Sequence, residues 1–453
     1  MKALVKKILI CIYRILNVIL PKSSKIAVFS TSNGKSAGGN PRAVYEYAVS
    51  DGSYTGYRFV WFLTDELMKK HPGEAVKLKE IAGKATCKIV RYGHPAYYWY
   101  MARAGIWVFD SRQEPYIVKR PGVKYLQTWH GTPLKKLGVD IDEMNMAGES
   151  GSIEAYKDAF RREAAQWDYL IVQNSFSAET FARCFDFHGK MLKIGYPRND
   201  ELVRAAQEGA REGMASENGA DRNIGKGAGR NAKTRRTLLY APTWRDDKYT
   251  GNGWYAYSSP LDFEILHELL GDGFRIIVKP HYLVKMRAGD IPESMIRNGF
   301  VKICGHSEDI NKLYLKADGL ITDYSSAMFD YSLLGRPMFF YAYDMEEYAG
   351  HLRGFYFDLE AEAPGPICRT TEELGNVIKR TFSETDPLPA EVKDAGTGED
   401  IQKPEDGTGR SSESKAEIEL RRTEFVRKYN TYDDGNAARK AWYAVTGNRQ
   451  TID

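Results

Sequence analysis

A chain of 453 residues has room for more than one domain, and a 43% share of hydrophobic residues is ordinary for a folded globular protein. The formal net charge is only +4, so the composition gives no global basic field and argues against a nucleic-acid-binding protein. The five cysteines are scattered, without CxxC or Cys/His clustering, which indicates free thiols in a reducing compartment and no zinc site.

Residues 1–22 predict a basic amphipathic helix. Apolar side chains recur at helical spacing from Leu4 to Leu20, whereas Lys6, Lys7 and Arg14 fall away from that face. The apolar run is short for a membrane span, and no small-residue cleavage site indicates a secretory signal. We therefore expect a helix that lies on the cytoplasmic membrane surface. The alternatives are a helix that packs on the body of the protein or one that makes dimer contacts.

From residue 25 onward, predicted strands and helices alternate in two successive sets. Such alternation predicts α/β domains with parallel sheets covered on both faces. Two segments rich in Gly, Ala, Asn and charge interrupt the pattern and are typical of disordered insertions or linkers. The predicted division is a surface helix at 1–22, an N-terminal domain at 23–204, an insertion or linker at 205–236, a C-terminal domain at 237–383, a second insertion at 384–414, and C-terminal helices at 415–453 that pack back on the N-terminal domain.

Residues 319–341 form the most informative unit, a predicted strand, polar loop, helix and second strand. Ser325 and Ser326 stand where the helix should begin, and the free amide groups of a helix start bind anions. Gly335 is expected to end the helix, and Pro337 prevents its continuation. Taken alone, the two serines could simply cap the helix.

Other polar residues follow predicted strands, and ligands bind at the carboxyl ends of strands in open parallel sheets. His130 ends one strand, followed by Gly131, which permits close approach of a substrate, and by Thr132. A histidine at this position can take a proton from a hydroxyl near neutral pH. The alternative is a structural histidine that is hydrogen-bonded to the backbone.

The second domain offers similar groups. Lys279 and His281 end one strand, where a cationic or hydrogen-bonding group could neutralise a phosphate. Thr243 and Arg245 follow another strand, and Arg198 lies in a turn, placed to grip a phosphate. Taken singly, an arginine more often forms a surface salt bridge. As a set, and without a metal cluster, Walker loop or GxGxxG, these residues favour a transferase that uses a phosphorylated or nucleotide-linked donor.

Six segments then occur in one order along the chain: TWHGTPLKKLG at 128–138, GYPRND at 195–200, YAPTWRDD at 240–247, VKPH at 278–281, ITDYSSAMFDYSLLGRP at 321–337 and RGFYFD at 353–358. Together they resemble the CDP-glycerol glycerophosphotransferase family, which comprises the teichoic acid primases and polymerases of Gram-positive bacteria. The resemblance covers roughly residues 25–383 apart from the insertion, and six ordered motifs are more specific than any one.

The resemblance implies a GT-B fold, in which an N-terminal Rossmann-like acceptor domain and a C-terminal Rossmann-like CDP-donor domain meet at a central cleft. It implies that His130 is the general base, that His281 binds the donor pyrophosphate, and that Asp323, Ser325 and Ser326 form the donor-phosphate site. The implied donor is CDP-glycerol or CDP-ribitol, and the implied acceptor is lipid-linked. The protein would then associate peripherally with the cytoplasmic side of the cell membrane.

The implied reaction is proton removal from an acceptor hydroxyl by His130, attack on the β-phosphorus and release of CMP, with charge offset by His281, the serines and Arg245 or Arg198. One rival is a GT-B glycosyltransferase that uses a nucleotide sugar. Another is a non-enzymatic binding protein at the membrane surface. The sequence leaves open glycerol or ribitol transfer, single addition or polymerisation, the acceptor, divalent-metal dependence and homo-oligomer formation, and it firmly implies no cofactor.

Overall fold

The computed structural model describes residues 2–52, 56–142, 152–217, 235–243, 249–251, 254–256, 259–280, 284–285, 289–305, 308–345, 354–383 and 413–447. The strands are β1 (Ser23–Ser30), β2 (Arg58–Leu63), β3 (Thr86–Arg91), β4 (Ala104–Phe109), β5 (Lys124–Gln127), β6 (Tyr169–Val172), β7 (Lys190–Lys193), β8 (Arg236–Tyr240), β9 (Tyr249–Gly251), β10 (Trp254–Ala256), β11 (Phe274–Val278), β12 (Val284–Lys285), β13 (Val301–Ile303), β14 (Gly319–Thr322), β15 (Met338–Tyr341) and β16 (Ile367–Cys368). The helices are α1 (Lys2–Ile19), α2 (Gly39–Ser50), α3 (Asp65–Lys70), α4 (Pro72–Ala82), α5 (Pro95–Arg103), α6 (Ile153–Ala164), α7 (Ser175–Cys184), α8 (Asp200–Glu217), α9 (Phe263–Leu270), α10 (Glu293–Arg297), α11 (Ile310–Lys316), α12 (Ala327–Tyr331), α13 (Leu359–Glu362), α14 (Thr371–Phe382), α15 (Lys415–Tyr429) and α16 (Ala437–Thr446).

The first domain is built on a parallel sheet with strand order β3-β2-β1-β4-β5-β6-β7. Its central strands are apolar on both faces, and all six residues of β4 are buried. Val28 of β1 belongs to the core on one face and Phe29 to the core on the other. Burial on both faces explains why these strands read as continuous apolar runs rather than as alternating patterns.

The second domain repeats this plan with a parallel sheet of order β13-β11-β8-β14-β15-β16. Every residue of β14 and β15 is buried. A small separate sheet pairs β10 with β9 and β12. Two parallel α/β domains confirm the predicted fold class.

Each large sheet reverses its strand order at one point. In the first sheet β1 lies between β2 and β4, and in the second β8 lies between β11 and β14. The loops that leave such a pair of strands diverge to opposite faces and open a crevice beyond their carboxyl ends. The strand order therefore predicts that ligands bind beyond the ends of β1 and β4, and of β8 and β14.

The C-terminal helices connect the two domains. Phe425 of α15 stacks on Phe329 of the second domain, with ring centroids 5.3 Å apart. Trp442 of α16 is fully buried in the first domain, 5.9 Å from the ring of Phe59. Asp200 accepts hydrogen bonds from the first two amide groups of α16, both at 2.9 Å, and so caps that helix. The chain thus returns to the first domain after it completes the second.

The segment 205–236 differs in part from its prediction as an unstructured linker. Helix α8 extends from Asp200 to Glu217, so the predicted boundary at residue 204 falls inside a helix. Ala, Glu, Arg and Gln fill this stretch, and they are strong helix formers even where few apolar residues anchor them. Residues 218–234, and residues 384–412 of the second predicted insertion, lie outside the described residues.

Helix α1 divides its apolar residues between two directions. Tyr13 is buried and donates a hydrogen bond to the carbonyl of Val118, while Leu9 and Leu16 pack against the first domain. A second row stays 43% to 78% exposed and consists of Ile8, Ile12, Ile15, Val18 and Ile19. The single predicted apolar face is therefore two faces, one covered by the protein and one open. Among the described residues, none of the helices has the length and apolar character required to cross a membrane.

Candidate active site

His130 lies two residues beyond Thr128, at the carboxyl end of β5, with its side chain exposed. The preceding Trp129 has a left-handed backbone, φ 49°, which is strained for a bulky residue and directs the chain out of the sheet. Nδ1 of His130 lies 3.0 Å from the carbonyl oxygen of Asp110. A carbonyl can only accept, so Nδ1 carries the hydrogen and Nε2 of the neutral ring has the free lone pair. Nε2 is therefore the ring nitrogen that can accept a proton.

Asp110 follows β4 and connects the His130 loop to the end of β1. Its buried carboxylate accepts hydrogen bonds from the Ser32 amide at 2.7 Å and the Ser111 hydroxyl at 2.8 Å. Burial raises the pKa of Asp110, and the nearby His130 opposes that rise by favouring the charged form. A carboxylate beside the imidazole can in turn stabilise the imidazolium that forms when His130 takes a proton.

The second domain has the equivalent arrangement at its own point of strand reversal. Asp323 follows β14, and its Oδ1 accepts from the backbone amide and the hydroxyl of Thr243, which follows β8, both at 2.9 Å. Both residues were predicted to bind substrate. The structure brings them together at the predicted edge, with the Asp323 carboxylate holding the Thr243 loop in place.

Ser325 and Ser326 are half-buried in the loop between β14 and α12. The Ser325 hydroxyl accepts from the amide of Ala327 at 3.2 Å, whereas in the described structure the Ser326 side chain makes no capping hydrogen bond to α12. Helix α12 has only five residues before a 3-10 turn, and Gly335 ends that turn in the left-handed conformation, φ 62°, as predicted. A helix this short contributes little dipole, so the loop would bind an anion mainly through its hydroxyl and amide groups.

The loops of the two domains meet directly. A methyl group placed on Gly131 would lie 3.1 Å from Oγ of Ser326, closer than a side chain normally packs. The absence of a side chain at Gly131 therefore lets the His130 loop approach the serine loop. The contact places the loop that carries His130 beside the loop that carries Ser326.

Arg198 lies beside this contact and joins the same two loops. Nη1 donates to the carbonyl of His130 at 2.9 Å, and Nη2 pairs with Oδ2 of Asp330 in α12 at 2.6 Å. Both terminal nitrogens thus have protein partners. Each terminal nitrogen keeps a second N–H group, so these hydrogen bonds do not exclude the predicted contact between Arg198 and a donor phosphate, which stays a prediction.

Two further predicted residues make hydrogen bonds within their own domains. The Thr132 hydroxyl is buried and donates to Oε1 of Gln173 at 2.7 Å. Lys279 donates from Nζ to the carbonyl of Gly305 at 2.8 Å, and burial lowers its pKa. His281 and Arg245 lie outside the described residues. Within the described part of the chain, no three His, Cys, Asp or Glu side chains are grouped as metal ligands.

Sequence reasoning missed Asp110 and Asp330. It also missed Asn40, which donates a hydrogen bond to the Trp129 carbonyl, and Asn199, which donates one to Asp330. Asp110 follows a buried strand directly, so the strand-end rule that selected His130 could also have selected it. Asp330 stands between Phe329 and Tyr331 in an apolar helical pattern, and a charge at such a position needs a partner. Nothing local in the sequence identifies that partner as Arg198, which is 132 residues away.

The chain as a whole is similar to known proteins of one family. A family model described as CDP-Glycerol:Poly(glycerophosphate) glycerophosphotransferase matches residues 12–396. A teichoic acid poly(glycerol phosphate) polymerase of Bacillus spizizenii is 37% identical over 380 residues, which cover 84% of this chain and 89% of that protein. A teichoic acid glycerol-phosphate transferase of Staphylococcus aureus is 35% identical over 362 residues, 80% of this chain and 85% of that protein.

A Bacillus subtilis polymerase of the same description is 38% identical over 82% of this chain but only 46% of its own length, so the chain spans about half of that relative. A solved structure of the wall teichoic acid polymerase TagF matches with a TM-score of 0.74 at 28% identity, over 98% of this chain and 93% of that one. A histidine-to-asparagine variant of TagF soaked with CDPG matches with a TM-score of 0.73 at 29% identity, over the same shares. These matches agree with the two-domain GT-B architecture.

Proposed function

Because the chain belongs to the CDP-glycerol:poly(glycerophosphate) glycerophosphotransferase family, we propose that it transfers glycerol phosphate from CDP-glycerol to a hydroxyl of a lipid-linked acceptor, releasing CMP, in the synthesis of teichoic acid or a related polymer. A nucleotide-sugar glycosyltransferase is not favoured, since the matching relatives are named as glycerol phosphate polymerases and transferases. The donor domain is the second one, and the acceptor approaches from the first.

The single observation that carries this proposal is the contact between Gly131 and Ser326. It brings a histidine with a free Nε2 from one domain against hydroxyl and amide donors of the other. Phosphoryl transfer requires a base at the attacking oxygen and hydrogen-bond donors at the transferring phosphoryl group. The two domains supply one component each.

The proposed reaction proceeds with one proton and one phosphoryl transfer. The acceptor oxygen attacks the β-phosphorus of CDP-glycerol while Nε2 of His130 removes its proton. The bond between that phosphorus and the bridging oxygen breaks, and CMP leaves with the bond electrons. The Asp110 carbonyl keeps the ring oriented through Nδ1, and the Asp110 carboxylate stabilises the imidazolium.

In the donor domain, Ser325 and Ser326 are proposed to donate hydrogen bonds to the diphosphate. Asp323 is proposed to act indirectly: it accepts a hydrogen bond from the Thr243 amide and so fixes the loop after β8. His281 and Arg245 are proposed as further charge-neutralising groups from the sequence alone.

A donor screen tests the proposal. Purified full-length protein is given CDP-glycerol, CDP-ribitol or a UDP-sugar together with a lipid-linked acceptor, and nucleotide release and acceptor mass are measured. We expect CMP release and a mass increase of one or more glycerol phosphate units with CDP-glycerol. Transfer from CDP-ribitol alone would reassign the donor, and release of UDP alone would replace the proposal with glycosyl transfer.

We also propose that α1 holds the enzyme at the cytoplasmic surface of the cell membrane. Its open row of Ile8, Ile12, Ile15 and Ile19 follows the i, i+4, i+7, i+11 spacing of one helix face. The opposite side of the helix is fixed to the domain by Tyr13, so this row stays pointed outward. Such a surface lies at the boundary of headgroups and acyl chains, where a lipid-linked acceptor is found.

A further inference from the structure

The Arg198–Asp330 ion pair is nearly buried, with 13% and 6% of the two side chains exposed. It connects the turn Pro197–Asn199, at the end of the first domain, to the helix behind the donor serines. Because Nη1 of Arg198 also holds the His130 carbonyl, one guanidinium links the base loop to the donor loop.

Neighbouring amides complete this link on both sides. Asn199 donates to Oδ1 of Asp330 at 2.8 Å, so each carboxylate oxygen has its own partner. The side chain of Asn40 accepts from the Arg198 amide at 3.1 Å and donates to the Trp129 carbonyl at 3.0 Å. Two successive carbonyls of the base loop, those of Trp129 and His130, are therefore held by this cluster.

Holding these carbonyls matters because Trp129 has a left-handed backbone, which is strained for a bulky residue. Such a backbone persists only where its surroundings fix it. A buried ion pair is a poor source of stability compared with apolar packing, but it is directional. A guanidinium that donates one hydrogen bond to each of two loops fixes the distance and angle between them, which apolar contacts do not.

We infer that Arg198 and Asp330 are positioning residues, which set the His130 loop against the serine loop so that base and donor phosphate align. This inference rests on the proposed function, and it gives Arg198 a different role from the predicted phosphate contact. A misplacement of about 1 Å at a reacting group can cost roughly 100-fold in rate, so a device that fixes this geometry acts on kcat and leaves donor binding intact.

Arg198→Lys is the sharpest variant. Lysine keeps the charge opposite Asp330, but one ammonium cannot reproduce the planar fork that spans Asp330 and the His130 carbonyl. We expect kcat to fall by about tenfold or more, while the Kd for CDP-glycerol stays within about threefold. Asp330→Asn should do the same, and the Arg198→Lys/Asp330→Asn double variant should lose much less than the product of the two single losses, because both act through one link.

The matched control is Lys119→Gln, which breaks the half-buried ion pair between Lys119 and Asp168 at the opposite, amino end of the sheet.

Hydrogen exchange of the peptide containing residues 128–132 gives a readout that does not depend on activity. We expect faster exchange there in Arg198→Lys and Asp330→Asn, and exchange as in the parent protein in Lys119→Gln. Unchanged exchange and unchanged kcat in both Arg198→Lys and Asp330→Asn would overturn the inference. A donor affinity that falls by the same factor as kcat would also overturn it. Loss of the proposed function would instead appear as absent CMP release from the parent protein, with the exchange result still deciding the positioning role.

Discussion

The carbonyl oxygen of Asp110 lies 3.0 Å from Nδ1 of His130, and this contact leaves Nε2 as the nitrogen that can accept a proton. The Asp110 carboxylate points elsewhere, to the Ser32 amide and the Ser111 hydroxyl. The backbone of Asp110 thus sets the tautomer, and its side chain supplies charge. The two contributions can be separated by mutation.

Asp110→Asn should reduce kcat by roughly tenfold, because it removes the negative charge near the imidazolium but keeps an oxygen for the Ser32 amide. The loss should be clearly smaller than that of His130→Ala, since the carbonyl that orients the ring is unaffected. Steady-state CMP release measures both variants. If Asp110→Asn were as damaging as His130→Ala, the side chain rather than the carbonyl would control the ring.

Gly131→Ala should lower kcat/KM by about tenfold. Added volume in a well-packed contact usually costs roughly 1–3 kcal/mol, and about 1.4 kcal/mol corresponds to a tenfold change. The added methyl group would lie 3.1 Å from Oγ of Ser326 and 3.5 Å from its Cβ, so the two loops must separate. Gly209→Ala is the control, because a methyl group there has no neighbour within 4 Å. Equal activity of both variants would show that the two loops need not touch during turnover.

The contribution of Asp433 to the stability of the protein should fall as pH rises from about 4 to about 7. Burial raises the pKa of Asp433 to about 7 from a usual value near 3.8. In that window the folded state holds a proton that the unfolded chain has lost, so the free energy of unfolding decreases with pH, by about 1.4 kcal/mol per pH unit from this group. Above pH 7 its contribution is constant.

Asp433→Asn should remove that slope, because the amide keeps an oxygen for the Tyr196 amide and does not titrate. Denaturant unfolding at several pH values measures the difference between variant and parent. Asp434→Asn is the control, since Asp434 instead pairs with Lys440. A parent and an Asp433→Asn variant with parallel pH profiles would contradict the assignment.

The membrane proposal predicts the effect of charges on the open face of α1. Ile12→Glu/Ile15→Glu should reduce co-sedimentation with anionic lipid vesicles by about tenfold or more, because two apolar contacts are replaced by charges that anionic lipids repel. Val76→Glu, at an exposed apolar residue of α4, is the control. Loss of a dimer in size-exclusion chromatography, with vesicle binding unchanged, would instead make this face a contact between copies of the chain.

The sequence predicted the two-domain fold because alternating apolar strands and amphipathic helices leave local patterns. The same patterns placed His130, Thr243 and Asp323 at strand ends, where the structure has them. Long-range pairing leaves no such pattern. The partner of Arg198 could not be deduced from its turn, and the covered side of α1 could not be separated from the open side, because both sides of the helix are apolar.

The central claim is that His130 takes the proton of the attacking hydroxyl, and turnover of His130→Ala tests it most directly. A positioned base contributes roughly 10²- to 10⁴-fold, so CMP release should fall by that factor while the Kd for CDP-glycerol stays unchanged. His188→Ala, which alters a histidine whose side chain is 86% exposed, should retain the parent rate. Normal CMP release by His130→Ala would contradict the account.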